Sequence, residues 1–454
     1  MAGAARLPSC FFYRFFTIGV CVAVFSVVLA GRSVAGPVDL QSLIDEALKN
    51  SPELLAAESR TEASQYRIPQ AGSLADPMFM FGYQNEGWKQ YTYGKMEGAQ
   101  WMFTASQMFP YPGKLPLREE IASKDHEGTV TSYRQLRLKT VARIKELYYD
   151  LLVSYKNLDL VMDKDVLLGK IEDAALARYS AGMGSQSDVL MAQTEKYMLR
   201  EKEEMLRQKI QSVEAMLNTA VGRESTAPLG RPEEAASPDI PFSLDRMIAA
   251  AYRNSPELKA REILVAAAES RVKLAEREYY PDFTVNAGYF KRAGEFADMW
   301  SLTTAINIPL YYKKKQRQGV LEAKAMLAES RQELEAAKLM LSSSIRDNYS
   351  MYKAAGNLME LYQSGLIPKA TQDIDTSLSL YAAGKSEIMT TITKLKALID
   401  TETLYWTQFG EREKAAARMG ALTAEDLPGP GKSGTREPGL ATDAAQKQQA
   451  GGRK

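Results

Sequence analysis

The chain has 454 residues, of which 45% are hydrophobic, 25% are charged and only one is a histidine. Basic and acidic residues nearly balance, 57 against 56, so the net charge gives no reason to expect a nucleic-acid partner. Both cysteines, Cys10 and Cys21, lie close to the N-terminus. The rest of the chain therefore has neither a disulfide framework nor a thiolate metal site.

Residues 1–35 are predicted to be a signal peptide. A basic region with Arg6 and Arg14 precedes an apolar run, and Ser33-Val34-Ala35 offers the small residues that a signal peptidase reads. The alternative is an uncleaved N-terminal anchor, for which the apolar run is short, because a membrane helix needs about 20 residues. Arg32 stands where a lipoprotein would carry its acylated cysteine, so no lipid anchor is expected.

The sequence after the signal peptide is duplicated. The peptide ALKNSPEL at Ala47–Leu54 recurs as AYRNSPEL at Ala251–Leu258, and YSAG at Tyr179–Gly182 recurs as YAAG at Tyr381–Gly384. These landmarks keep their order at a separation of about two hundred residues, which is far longer than any solenoid repeat. The duplication therefore predicts two similar halves packed together.

Composition sets the predicted boundaries of these halves. The first repeat covers residues 36–221 and the second covers 243–420. A proline-rich linker, 222–242, joins them, and a segment rich in glycine, lysine and glutamine, 421–454, is predicted to be a disordered tail.

Each repeat begins with two helices and a strand pair. In the first repeat a helix at 40–50 ends at Ser51-Pro52, which starts a second helix that runs to about Gly72. The following strands alternate apolar and polar residues, with aromatic residues near the strand ends. This alternation fits the strands of a membrane barrel, although a half-buried strand of a soluble protein shows the same pattern. The residues predicted to face lipid are Trp101, Phe103, Trp300, Leu302 and Ile306.

After each strand pair the apolar period changes from two to about 3.5 residues, which is typical of coiled-coil helices. Long helices are predicted from Lys114 to Tyr179 and from Lys313 to about Tyr381, and each returns after a glycine turn. A helix of some 65 residues spans roughly 95 Å, far more than a globular core. Each repeat is thus predicted to be a hairpin of long helices attached to a short β-hairpin.

Two strand pairs give four strands per chain, and four strands cannot close a membrane barrel. The smallest bacterial barrels have about eight strands, so several chains must associate, and three chains would supply about twelve strands. The predicted fold class is therefore mainly α, with long helical hairpins that form a periplasmic tunnel and a β-barrel completed in a trimer.

At this point the sequence resembles the TolC-like outer-membrane efflux family over residues 39–418. The resemblance is carried by the repeated NSPEL peptides, by the Pro110-Tyr-Pro-Gly-Lys114 exit from the second strand, and by the turn that begins at Tyr179. The PGK exit is similar to the heavy-metal branch, whose members serve silver, copper, cobalt, zinc and cadmium efflux. Many ducts of that branch are lipoproteins, and this sequence lacks the acylated cysteine, so the cargo is left open.

The resemblance implies a homotrimer that spans the outer membrane and extends into the periplasm. It also implies two partners, a periplasmic adaptor protein and an inner-membrane pump, commonly of the resistance-nodulation-division type. The family's hairpin tips meet the adaptor, and the tip positions that match the family's motif are Ala181, Gly182, Met183, Ala383, Gly384 and Lys385. The alternative is that these glycines only terminate helices.

Acidic residues beside the tips are candidates for constricting the tunnel: Asp188, Asp373, Asp375 and Glu387. In a trimer each would form a ring of carboxylates that favours cations, whereas the competing interpretation is helix capping. His126 is expected to be a solvated surface residue, because a zinc or copper site needs several converging ligands. Met191, Met198 and Met205 lie seven apart, which favours core packing over a soft-metal ladder.

No catalytic constellation, phosphate-binding loop or cofactor motif is present in the sequence, so the chain is not expected to be an enzyme. The leading hypothesis is a passive duct that carries substrate from an adaptor and pump to the cell exterior. The alternative is a soluble periplasmic coiled-coil scaffold whose strand pairs form small sheets.

Overall fold

The computed structural model describes residues 37–233 and 243–424. The predicted signal peptide, residues 234–242 of the predicted linker and residues 425–454 of the predicted tail lie outside the described residues.

The two repeats have the same order of elements. The elements of the first repeat are α1 (Leu40–Asn50), α2 (Pro52–Gly72), β1 (Met78–Gln84), β2 (Gln100–Phe109), α3 (Lys114–Ser180) and α4 (Gln186–Val221). Those of the second are α5 (Leu244–Asn254), α6 (Pro256–Arg277), β3 (Phe283–Lys291), β4 (Met299–Ile306), α7 (Gln316–Leu361), α8 (Ile367–Ala382) and α9 (Ile388–Thr423). Two helices, a strand pair and a helical hairpin therefore follow one another twice along the chain.

Capping residues set the starts of the first helices. The carboxylate of Asp39 accepts a hydrogen bond from Ser42 N at 3.0 Å and so satisfies one free amide at the start of α1. Ser51 ends α1 in an extended conformation, and Pro52 then occupies the first turn of α2. Proline is tolerated there because the first amides of a helix have no intrahelical partner. Ser255 and Pro256 repeat this junction between α5 and α6.

The long helix α3 has 67 residues and spans about 100 Å. It packs against α4 along its returning length and also against α2, α6 and α9, so both repeats share it. Ile144, Tyr148 and Leu151 of α3 are fully buried in the core that α3 forms with α1 and α4. A second apolar core lies near the hairpin tips, and a third lies among α5, α7 and α9.

The second long helix is not continuous as predicted. It begins at Gln316, and a π-helical turn, Tyr362–Leu366, separates α7 from α8. Pro368 lies just after this turn. Proline lacks an amide hydrogen, and its ring clashes with the carbonyl four residues earlier, so the helix must widen or bend before it. In addition, α9 ends at Thr423, so helix extends into the stretch predicted to be a tail.

The first part of the predicted linker packs on the helical core. Pro232 forms a parallel bridge with Val38, and the hydroxyl of Tyr148 donates to the carbonyls of Val38 and Glu233. Gly222 begins this segment with a φ of +96°, and a Cβ there would lie 2.6 Å from the Asn50 carbonyl oxygen. Only glycine fits this close turn.

No helix within residues 37–233 and 243–424 is both long enough and apolar enough to cross a membrane.

Candidate functional site

The four strands form one antiparallel sheet in the order β1-β2-β3-β4, so the β-hairpins of the two repeats lie side by side. The cross-strand register aligns Phe81, Phe103, Tyr289 and Trp300 in a single row. The next row on the same face consists of Phe79, Ala105, Ala287 and Leu302, one residue from each strand. Trp300 is 80% exposed and Phe79 is 82% exposed. One face of the sheet is thus a broad aromatic and aliphatic surface, most of which no residue of the described ranges covers.

The opposite face carries small polar side chains. Ser106, Asn286 and Thr303 lie in one row, and the Ser106 hydroxyl donates to Asn286 Oδ1 at 2.7 Å. The larger apolar residues on this face include every methionine of the four strands: Met78, Met80, Met102, Met108 and Met299. The sequence analysis did not single out this pattern. The sheet is therefore two-faced, and all five residues predicted to face lipid belong to the aromatic face.

A buried lysine joins the sheet to the long helices. Lys114 is the first residue of α3, and its side chain is only 1% exposed. Its ammonium group lies 3.0 Å from Glu278 Oε2 and 2.9 Å from Asp282 Oδ1, and it also donates to the Tyr280 carbonyl. Because the acceptors belong to the second repeat, this ion cluster fastens the two repeats where strands meet helices. The sequence analysis used Lys114 as part of a motif and as the start of a helix, and it did not predict this ion cluster.

The environment of Asp282 shows why this cluster is stable. Burial by itself would raise the pKa of Asp282. Hydrogen bonds from Lys114 Nζ and from the Tyr111 amide outweigh this effect and hold the pKa of Asp282 below its ordinary value. The carboxylate therefore stays ionised and paired with the lysine at neutral pH.

At the far end of the helical hairpins, the two tips have the same backbone geometry. Gly182 and Gly384 have φ values of +71° and +74°, in the left-handed region that favours glycine. In the first tip, Gly182 N donates to the Tyr179 carbonyl and Met183 N donates to the Arg178 carbonyl, which is the Schellman pattern. Lys385 N donates to the Leu380 carbonyl in the same way in the second tip.

All six predicted tip residues are exposed, and Met183 is 72% exposed. A Cβ at Gly182 would contact nothing within 4 Å, so only the backbone conformation requires glycine there. The helix-terminating role explains both glycines. It does not explain a large apolar side chain left at the end of a hairpin.

Arg178 and Tyr381 connect the two tips, which the sequence analysis missed. Arg178 Nη1 donates to the Tyr381 carbonyl at 2.6 Å, and its Nη2 donates to the Met183 carbonyl at 3.2 Å. The guanidinium also lies 4.7 Å from the centre of the Tyr381 ring. Burial raises the pKa of the Tyr381 hydroxyl, and the nearby Asp188 carboxylate raises it further. The hydroxyl therefore stays protonated and donates to Asp188 Oδ2 at 3.3 Å.

The four candidate acids have different environments. Asp188 accepts from the Ser185 hydroxyl at 2.8 Å and its amide donates back to that hydroxyl, so the capping interpretation holds for Asp188. Asp373 forms an ion pair with Lys394 at 2.7 Å. Glu387 is at the N-cap position of α9, but its side chain makes no capping hydrogen bond. The carboxylates of Asp375 and Glu387 have no partner within the part of the chain that the structure describes.

The remaining sequence candidates differ partly from expectation. His126 is half-buried, and its Nδ1 lies 2.8 Å from the Ser64 hydroxyl of α2, so the expectation of a solvated surface histidine is wrong. The cause is the packing of α2 along α3, which a single sequence does not reveal.

Met191 packs against the core near the tips, whereas Met198 and Met205 are more than half exposed, so core packing within one chain holds only for Met191. No group of three or more His, Cys, Asp or Glu residues is placed to hold a metal ion in the described ranges.

A two-faced sheet at one end of long helical hairpins, of which α3 alone spans about 100 Å, defines a class of protein, an outer-membrane duct that reaches into the periplasm. The sequence profile of the family described as Outer membrane efflux protein matches residues 43–223 and 247–400. The chain belongs to this family.

Named relatives and solved structures agree with this assignment. The chain is 22% identical to the cobalt-zinc-cadmium resistance protein CzcC of Cupriavidus metallidurans, over 86% of this chain and 90% of that protein. It is 20% identical to outer membrane protein TolC of Vibrio cholerae, over 80% of this chain and 85% of that protein. The crystal structure of the outer membrane protein VceC from Vibrio cholerae superposes with a TM-score of 0.72 at 17% identity and covers 86% of this chain and 96% of that one.

The predicted family, the mainly α fold with four strands per chain, and the outer-membrane location with an extension into the periplasm are thereby confirmed. The protein is an efflux channel component and not an enzyme. The alternative of a soluble periplasmic scaffold is not favoured.

Proposed function

We propose that three copies of this chain join their sheets edge to edge and form one twelve-stranded barrel in the outer membrane. The observation that carries the proposal is the open four-stranded sheet, in which β1 and β4 each have one edge with no strand partner among the described residues. Unpaired edges promote association, and closure into a barrel removes them. Trimer formation supplies the closure that one chain lacks.

In this barrel the aromatic face meets lipid, including Trp101, Phe103, Trp300, Leu302 and Ile306. The row of Ser106, Asn286 and Thr303 faces the water-filled lumen. The assignment follows from the composition of the two faces, since barrels place apolar residues toward lipid and polar residues toward the channel.

The tips serve as the docking site for a periplasmic adaptor protein, which links this duct to an inner-membrane pump, most simply one of the resistance-nodulation-division type. The support is the exposure of Met183 beside two Schellman turns, because apolar groups exposed at a tip mark contact surfaces. Lys385 places a cation at the matching position of the second tip, so the two tips present different chemistry to the adaptor.

Asp375 and Glu387 are the acids best placed to form carboxylate rings at the periplasmic entrance of the trimer. Both are exposed and have no side-chain partner among the described residues, whereas Asp188 and Asp373 are engaged within the chain. Rings of carboxylates favour cations. Together with the similarity to a cobalt-zinc-cadmium resistance protein, this charge supports metal cations as the cargo.

The assembly is tested by the mass of the purified protein in detergent, corrected for bound detergent by light scattering. We expect three chains per particle, and a monomer or dimer would contradict the proposal. The cargo is tested separately by deleting the gene in its host. Loss of cadmium tolerance that the wild-type gene restores supports metal cations, and unchanged cadmium tolerance contradicts them.

A further inference from the structure

The segment after β4 combines exposed apolar residues with a dense basic run. Ile308 and Leu310 continue the outward-facing alternation of β4, and Leu310 is 75% exposed. Tyr311 and Tyr312 follow, of which Tyr311 is 78% exposed. The next residues form what we call the basic collar, four exposed cations within five positions: Lys313, Lys314, Lys315 and Arg317.

The fold fixes the level of this segment along the molecule. Asn307 N donates to the Asp282 carbonyl at 3.0 Å, and the collar leads directly into α7, which begins at Gln316. The collar therefore lies where the sheet meets the helices. In an outer-membrane channel whose helices extend into the periplasm, that level is the periplasm-facing surface of the membrane.

The internal duplication provides a comparison within the same molecule. In the first repeat, Lys114 lies at the corresponding exit from the second strand, and Glu278 and Asp282 neutralise it inside the protein. In the second repeat, the side chains of the collar make no ion pair or hydrogen bond with any residue that the structure describes. No acidic residue lies in the first turn of α7 to offset the positive helix end. Four cations are therefore left exposed where the helix dipole disfavours them.

We propose that the basic collar binds the phosphate groups of anionic phospholipids in the periplasm-facing leaflet of the outer membrane, while Tyr311 and Tyr312 lie at its interface. The inference rests on the proposed barrel, which places the aromatic face in lipid. Tyrosine is enriched at membrane interfaces because its ring is apolar and its hydroxyl is polar. Clustered lysine and arginine next to a membrane segment attract anionic lipid, and the attraction adds with each cation.

The experiment measures lipids retained by the detergent-purified, full-length assembly in native mass spectrometry, after incubation with dioleoylphosphatidylglycerol or dioleoylphosphatidylcholine. The test variant is Lys313→Gln/Lys314→Gln/Lys315→Gln. A matched control, Lys170→Gln/Lys209→Gln/Lys369→Gln, removes the same charge from exposed helical lysines outside the collar.

We expect the wild type and the control to retain phosphatidylglycerol in preference to phosphatidylcholine, and the collar variant to lose this preference by at least about tenfold. Equal retention of phosphatidylglycerol by the collar variant and the wild type would overturn the proposal. Complete displacement of the lipid by millimolar inorganic phosphate would overturn it in favour of a site for free anions.

Two further outcomes are distinguishable. If lipid-free collar variant dissociates into monomers while the lipid-free control stays assembled, the collar pairs with a neighbouring chain, and the lipid proposal is wrong. If the wild type itself is not a trimer, the proposed barrel fails, a result that the mass shows before any lipid is added.

Discussion

Replacing Lys114 by methionine tests the junction between strands and helices. Methionine has a similar length, so Lys114→Met removes the charge with little loss of volume. The substitution leaves Asp282 and Glu278 without their shared cation and the Tyr280 carbonyl without its donor. Removing one partner of a fully buried ion pair costs about 3–5 kcal/mol.

The expected cost is lower here because the acceptors are partly solvated. The Glu278 side chain is 43% exposed and that of Asp282 is 22% exposed, whereas Lys114 is only 1% exposed. Solvent screening of the two carboxylates reduces the loss to about 2–4 kcal/mol. Lys338→Met is the matched control, because Lys338 pairs with Glu335 on an exposed helix surface and should cost no more than about 1 kcal/mol.

The assay is guanidinium unfolding of the detergent-solubilised protein, followed by circular dichroism. The pH dependence of the stability to unfolding gives a second readout. Because the pKa of Asp282 is lowered in the folded state, its contribution to stability is present above its ordinary value of 3.8 and is lost as the pH falls through the folded value. Lys114→Met should weaken this acid-dependent loss. If Lys114→Met unfolded at the same denaturant concentration as Lys338→Met, the junction would not depend on the ion cluster.

Three further predictions concern the two ends of the molecule. Leu302→Arg should destabilise the folded barrel by about 2–4 kcal/mol and reduce assembly if the site lies near the middle of the membrane. Thr303→Arg, on the opposite face of the sheet, should have a much milder effect. Equal yields of folded trimer from the two variants would contradict the assigned faces. Met183→Asp should abolish efflux-dependent resistance and adaptor crosslinking without lowering the yield of trimer. Gly182→Val should lower resistance, crosslinking and trimer yield, because a β-branched residue resists a positive φ. Normal crosslinking by Met183→Asp would show that this tip is only a turn. Arg178→Ala removes the hydrogen bond to the Tyr381 carbonyl, which joins the two tips, together with the bond to the Met183 carbonyl within the first tip, and should increase single-channel conductance in planar bilayers. An unchanged conductance would show that this link does not constrict the channel.

Periodicity and duplication predicted most of the fold because they are properties of local sequence. The change from period two to about 3.5 marked the ends of the strand pairs, and the repeated glycine turns marked both hairpin tips. The π-helical turn before Pro368 was not predicted, since a proline can be accommodated by a kink, a break or a widened turn. Which of these occurs depends on the packing of α7 and α8 against α9.

The candidate site was predicted less completely, because its contacts join residues far apart in the chain. Arg178 and Tyr381 are separated by 203 positions, and nothing local to either residue indicates the other. The same holds for Lys114 and its two carboxylates on the second repeat. The alternation of the strands identified the lipid-facing candidates, while the cross-strand register that aligns them into rows became visible only in the folded sheet.

The most direct test of the central claim, that this chain forms a passive outer-membrane channel, is the electrical conductance of the purified full-length protein in a planar lipid bilayer. A closed barrel with a polar lumen should conduct ions without nucleotide or any other energy source, in discrete steps of uniform size. The absence of such steps, with protein that is folded and inserted in the bilayer, would contradict the account.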